Sequence, residues 1–232
     1  MKKLNISILV LSLAAGGACY KAAPSNRITT TQSTPTIAAS PVAEKTVESA
    51  NSTGGDYNAA LDYFNAKNYD RAAAEFAAVV AKDAKNQQAQ FYLGKSYQAV
   101  KKETEAVGAY QKAVEIKPDY AEANYELGKI YFDKKEFENA LPYLQKAAKI
   151  KTSSTEYLMT LGDNYRALKK CDYAVVPYGT VTRLDEKNAA AIYGMGLCYI
   201  ELKNGIAAGQ QVRNLEKLDK NLAKKLSDQI SK

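Results

Sequence analysis

The sequence predicts an all-α solenoid of five helix-turn-helix units closed by a capping helix. Three observations predict it. A 34-residue unit recurs without insertion or deletion over residues 53–86, 87–120, 121–154, 155–188 and 189–222. Gly94, Gly128, Gly162 and Gly196 share one phase, and Tyr97, Tyr131, Tyr165 and Tyr199 follow each by three residues. Twelve residues after the glycines stand Ala106, Ala140, Ala174 and Ala208. A fixed period of this length marks stacked units, each burying its apolar face on the next.

The chain opens with a targeting pattern. Met1-Lys2-Lys3 is basic, Leu4–Ala15 is mostly apolar, and Gly16-Gly17-Ala18 precedes Cys19. The apolar run is too short to span a membrane and fits a secretory signal over residues 1–18. Residues 19–52 read as a linker rich in Ser, Thr, Ala and Pro, as in Thr29-Thr30-Thr31-Gln32-Ser33-Thr34-Pro35. It lacks apolar periodicity and cannot bury enough surface to offset ordering.

In the first unit Ala60 takes the glycine phase, followed by Tyr63 and Ala72. In the second, Gln87–Ala99 and Glu103–Lys117 carry apolar residues at helical spacing. Phe91, Leu93, Gly94 and Tyr97 form one stripe; Ala106, Tyr110, Ala113 and Val114 form the other. A glycine inside a helix costs about 1 kcal/mol against alanine, so four at one phase imply a close helix crossing. Gly128 is expected to meet Ala140 there. Pro118 ends the second unit, where a helix cannot continue. Pro142 and Pro177 fall early in second helices, where a proline is tolerated with local bending. Gly205 and Gly209 make the fifth unit the loosest. After it, Leu222, Leu226 and Ile230 make an apolar stripe among Lys224, Lys225, Asp228 and Gln229, and residues 223–232 finish a capping helix.

The Leu-Gly, Tyr, Ala, aromatic, Ala and Pro positions resemble the tetratricopeptide repeat over 170 of 232 residues. There is no tryptophan. Asp56, Gln90, Asn124, Leu158 and Ile192 lead the units instead, and only Pro118 keeps the terminal proline. The resemblance implies a right-handed solenoid whose first helices line a concave groove. Its expected lining is Tyr57, Phe91, Tyr125 and Tyr193, with a basic middle at Lys95, Lys129 and Arg166. Packing between helices is the competing reading of the aromatics, and a solvated face that of the lysines. The peptide clamp of the chaperone-binding relatives is absent. Its positions hold Phe91, Lys95, Glu122 and Glu126, or Tyr125, Lys129, Glu156 and Thr160.

The leader resembles a bacterial lipoprotein signal, although Gly16 stands where that family prefers leucine. The resemblance implies a diacylglycerol on Cys19 and a membrane-anchored envelope protein. Tyr20 favours the outer membrane. Simple cleavage after Ala18, giving a periplasmic or secreted protein, is the alternative.

The chain has no histidine, which removes histidine-based catalysis and histidine metal sites. No phosphate-binding loop motif occurs. The net charge of +7 is spread among interleaved acids, as in Lys134-Lys135-Glu136-Phe137-Glu138, and offers no phosphate-tracking stripe. Neither a cofactor nor nucleic acid is expected. The sequence points to a non-catalytic scaffold for other envelope proteins or peptides, in pilus, outer-membrane or peptidoglycan assembly. A surface-exposed ligand-binding lipoprotein is the alternative, and an enzyme accessory a lesser one. Cys171 and Cys198 stand near adjoining ends of successive antiparallel helices and are candidates for a disulfide; two buried free thiols are the alternative.

Overall fold

The computed structural model describes residues 56–231. The expected signal, Cys19 and the linker lie outside them.

Eleven α-helices occupy the described residues, and no strand is present among them. They are α1 Tyr57–Asn65, α2 Tyr69–Lys82, α3 Gln87–Ala99, α4 Glu103–Ile116, α5 Ala121–Asp133, α6 Phe137–Ile150, α7 Thr155–Ala167, α8 Cys171–Leu184, α9 Ala189–Glu201, α10 Gly205–Glu216 and α11 Lys220–Ile230. Each unit is one pair, and each helix packs on its neighbours in sequence. The local chemistry starts them: Asn86 accepts from Ala89 N, Ser154 from Tyr157 N, and Asn188 from Ala191 N. Each bond satisfies one orphan donor of a first turn. The capping helix starts at Lys220, inside the fifth unit's frame. Its Leu226 is fully buried, while Ile230 stays exposed.

The glycines meet large side chains, and the expected Gly128–Ala140 pairing is corrected. A Cβ on Gly128 would lie 2.8 Å from Leu144 Cγ and 3.1 Å from Leu144 N. The same atom on Gly94 would meet the Tyr110 ring, and on Gly162 the Tyr178 ring. The glycine thus admits the residue one turn beyond the alanine. Pro142 and Pro177 are also deeper than expected, inside α6 and α8. Each removes the helical donor to the carbonyl four residues earlier, on Glu138 and Tyr173.

Every unit turns at a lysine with positive φ: Lys67 at 60°, Lys101 at 61°, Lys135 at 63°, Lys169 at 55° and Lys203 at 57°. The pattern is the usual glycine stop of a helix. Lys101 N donates to Gln98 O at 3.1 Å, and Lys102 N reaches back to Tyr97 O at 2.8 Å. The reach to the recurring tyrosine repeats from Asn68, Glu136, Lys170 and Asn204. A lysine in this conformation is disfavoured by roughly 1–2 kcal/mol relative to the right-handed region.

Candidate functional site

The first helices carry the expected groove residues, but the structure uses many of them inside. Phe91 is only 8% exposed and packs against Tyr92, Tyr110 and Tyr120. Tyr125 is 5% exposed, stacks on Tyr157 at 4.2 Å, and shares a 3.2 Å hydrogen bond with Thr160 Oγ1. Burial pushes its phenol well above the ordinary range, and it pushes Tyr157 up to about 12. Their expected exposure is corrected: Tyr157 stands where three other units have alanine, and its ring covers Tyr125. Tyr57 is partly buried against Phe76. Tyr193 is partly buried with Leu197, Ile200 and Leu222 around the capping helix.

The expected basic middle is neutralised in pairs. Lys95 meets Glu126 at 3.4 Å, Lys129 meets Asp133 at 2.6 Å, and Arg166 lies 3.8 Å from Asp163. These are partly exposed pairs worth little stability, but they leave the row with alternating charge. No metal-ligating cluster of three or more His, Cys, Asp or Glu residues occurs among the described residues.

An apolar opening lies on the other side, among the second helices. A cleft of about 690 Å³ runs between α6 and α8 over α7. Leu158, Leu161 and Tyr165 of α7 form its floor. Pro142 and Ala148 line it from α6, and Tyr173, Val176 and Pro177 from α8. Tyr173 is 57% exposed and Val176 67%. Tyr165 stacks on Tyr173 at 5.5 Å and accepts from Gln145 Nε2 at 2.6 Å, which fixes the tyrosine end. Lys146 and Lys149 edge the cleft, and no carboxylate lines it.

The period explains why the cleft opens here. The same place one unit earlier holds about 240 Å³, lined by Val114, Glu115, Leu127 and Tyr143. At those phases the large cleft has Ala148, Lys149, Leu161 and Pro177. Valine to alanine and tyrosine to proline remove bulk, and glutamate to lysine reverses the charge. One unit later the space is about 400 Å³ and is edged by Glu186, Gln211 and Asn214. The expected groove residues all belong to first helices, whereas this junction opens among second helices. Its signal was the apolar Tyr173 and Val176, exposed on one second helix beside Pro177.

Cys171 and Cys198 do come together, with sulfurs 2.7 Å apart.

The repeated pairs define an α-solenoid, a class in which each unit contacts its neighbours and leaves long faces open to partners. Two family models match within it, a TPR repeat over residues 102–135 and a tetratricopeptide repeat over 121–153. Residues 102–153 of the chain are thus tetratricopeptide repeats. Among solved structures it is similar to YrrB, described as a TPR protein with an unusual peptide-binding site. The TM-score is 0.67 at 24% identity, covering 74% of this chain and 89% of that one. MamA aligns with a TM-score of 0.62 at 23% identity, covering 71% of this chain and 96% of that one. These likenesses show the fold. No curated protein matches the sequence.

Proposed function

We propose that the chain is a non-catalytic protein-interaction scaffold of the bacterial cell envelope, and that the α6–α8 cleft takes an amphipathic segment with acidic flanks. The observation that carries the reading is the customised junction: Ala148 and Pro177 open an apolar floor, and Lys149 with Lys146 edges it in positive charge. A partner's apolar side chains fill the floor, and its carboxylates face the two lysines. Val176 and Tyr173 supply the exposed apolar contact. The neighbouring YrrB has a peptide-binding site by its description, which agrees with a protein ligand here.

The test uses a labelled amphipathic peptide of about four helical turns, with leucines on one face and glutamates beside them. It binds the wild type in an anisotropy titration. Lys146→Glu with Lys149→Glu weakens binding by at least about tenfold. Val176→Asp does the same, and both variants keep the wild-type melting temperature. Equal affinity for a lysine-flanked peptide, or unchanged binding by both variants, overturns the cleft assignment.

Envelope location rests on the leader. Cys19 carries the lipid in this reading, and residues 20–52 tether the repeats to a membrane, the outer one favoured. Cys19→Ala releases the protein from the membrane fraction or blocks its processing. Wild-type protein found wholly in the soluble fraction with an unmodified Cys19 overturns the anchor and leaves the cleft reading untouched.

A further inference from the structure

Cys171 begins α8 and Cys198 lies in the later half of α9. They belong to successive units, yet their sulfurs are 2.7 Å apart. A disulfide bond is about 2.05 Å long, so the two sulfurs already stand within about an ångström of bonding distance. Both residues are buried, at 3% and 0% exposure, and both are thiols in this structure. Cys171 Sγ also lies 3.2 Å from Glu201 Oε2, one turn along α9 from Cys198.

The same surroundings that join the sulfurs also isolate them. The reactive form of a cysteine is the thiolate. Burial, and then contact with Cys198 and Glu201, pushes the Cys171 thiol far above its ordinary range. Burial pushes Cys198 up as well. In the packed array, neither sulfur is open to an external disulfide and neither readily ionises.

We propose that Cys171 and Cys198 form a disulfide that ties α8 to α9, and that it forms before the fifth unit packs on the fourth. In the open chain, one cysteine thiolate attacks the disulfide of an exchange reagent. The reagent here is a disulfide-form oxidoreductase or a small-molecule disulfide. A mixed disulfide forms and one reagent thiolate leaves. The second cysteine thiolate then attacks the protein sulfur of the mixed disulfide, and the reagent's other sulfur leaves as thiolate. The two cysteines lose two protons and two electrons, and the reagent disulfide becomes two thiols. Packing then shuts the bond away from reductants. The bond braces the unit whose second helix carries Gly205 and Gly209, two residues that hold a helix poorly.

Formation in the cell rests on the envelope reading, because disulfides persist in oxidising compartments. The geometry and the order of events do not, and are tested in vitro. The full chain is reduced, unfolded in denaturant and refolded with oxidised glutathione. A second sample is folded first and then given the same reagent. Both are unfolded with an alkylating agent and mapped by mass spectrometry. The refolded sample shows Cys171 and Cys198 unalkylated and joined in one cross-linked peptide pair, whereas the pre-folded sample alkylates at both over the same time. The oxidised protein melts about 10 °C above the reduced one. Cys171→Ala with Cys198→Ala folds and melts near the reduced protein. Free alkylation of both thiols in the refolded sample overturns the disulfide. Equal oxidation rates in the two samples overturn the order of events. Protein exported in cells but isolated with both thiols free, after oxidation succeeds in vitro, overturns formation in the envelope and not the geometry.

Discussion

Tyr178→Ala lowers the stability of the array by about 4 kcal/mol and its melting temperature by roughly 10 °C. Tyr178 is fully buried. Its ring lies between Gly162 of its own unit and Gly194 of the next, where an added Cβ would come within 2.7 Å of ring atoms on either side. Two helices therefore approach the same ring, and removing it empties both contacts at once. Its hydroxyl also donates to Asp163 Oδ1 at 2.6 Å. Tyr178→Phe separates the two effects. It keeps the ring and loses the hydroxyl's contacts with Asp163 and Arg166, at a cost of about 1 kcal/mol. Thermal melting by circular dichroism gives the magnitudes, and amide hydrogen exchange gives the place. Protection falls first in α7, α8 and α9, because a solenoid unit touches only its neighbours. A Tyr178→Ala protein that melts within a degree of wild type removes the ring as the link between the fourth and fifth units.

Gly128→Leu costs about 3 kcal/mol, and the smaller Gly128→Ala also destabilises. The alanine result has the more telling sign. In an open helix, glycine to alanine gains about 1 kcal/mol. Here the new methyl group would meet Leu144 Cγ at 2.8 Å and Leu144 N at 3.1 Å. The side chain of Leu144 can turn aside, but its backbone moves only if α6 moves from α5. Gly108→Ala is the control, since nothing lies within 4 Å of its added Cβ, and that variant gains stability. A stabilised Gly128→Ala would mean that α5 and α6 do not cross where the structure places them.

Periodicity made the helices legible. The stretch expected from Gln87 to Ala99 is α3 to the residue, and Glu103–Lys117 overshoots α4 by one. Phase reveals which positions face inward, but not which inward residue fills a gap. Gly128 and Ala140 are both small, so pairing them was natural; the gap belongs to Leu144. The expected groove residues follow a related logic, with the packing reading holding at Phe91 and Tyr125. Glu126, the partner of Lys95, sits 31 residues away rather than 34, so reading down a single phase passes it by. Tyr157 closes over Tyr125 because it replaces a small residue in one unit alone. The lysine turns carry no glycine to announce a left-handed residue, although each is closed by a main-chain bond back to the recurring tyrosine. The cleft is legible only by comparing units with one another, since Ala148, Lys149 and Pro177 are unremarkable singly.

The five lysine turns also determine where the shape of the molecule can be adjusted. Their φ values fall within 8° of one another, from 55° to 63°, and the same backbone bond returns to a tyrosine in every one. They act as identical fixed joints. Each pair is closed by the same main-chain bond, so the turn takes one shape in all five. The curvature of a solenoid is one small rotation multiplied along the stack. If the rotation inside every pair is fixed, any change of pitch must enter between pairs, where α2 meets α3, α4 meets α5, α6 meets α7 and α8 meets α9. The α6–α8 cleft straddles one of those seams. In the proposed function a ligand seated there lies on that seam, where a change of pitch would carry through to every unit beyond it.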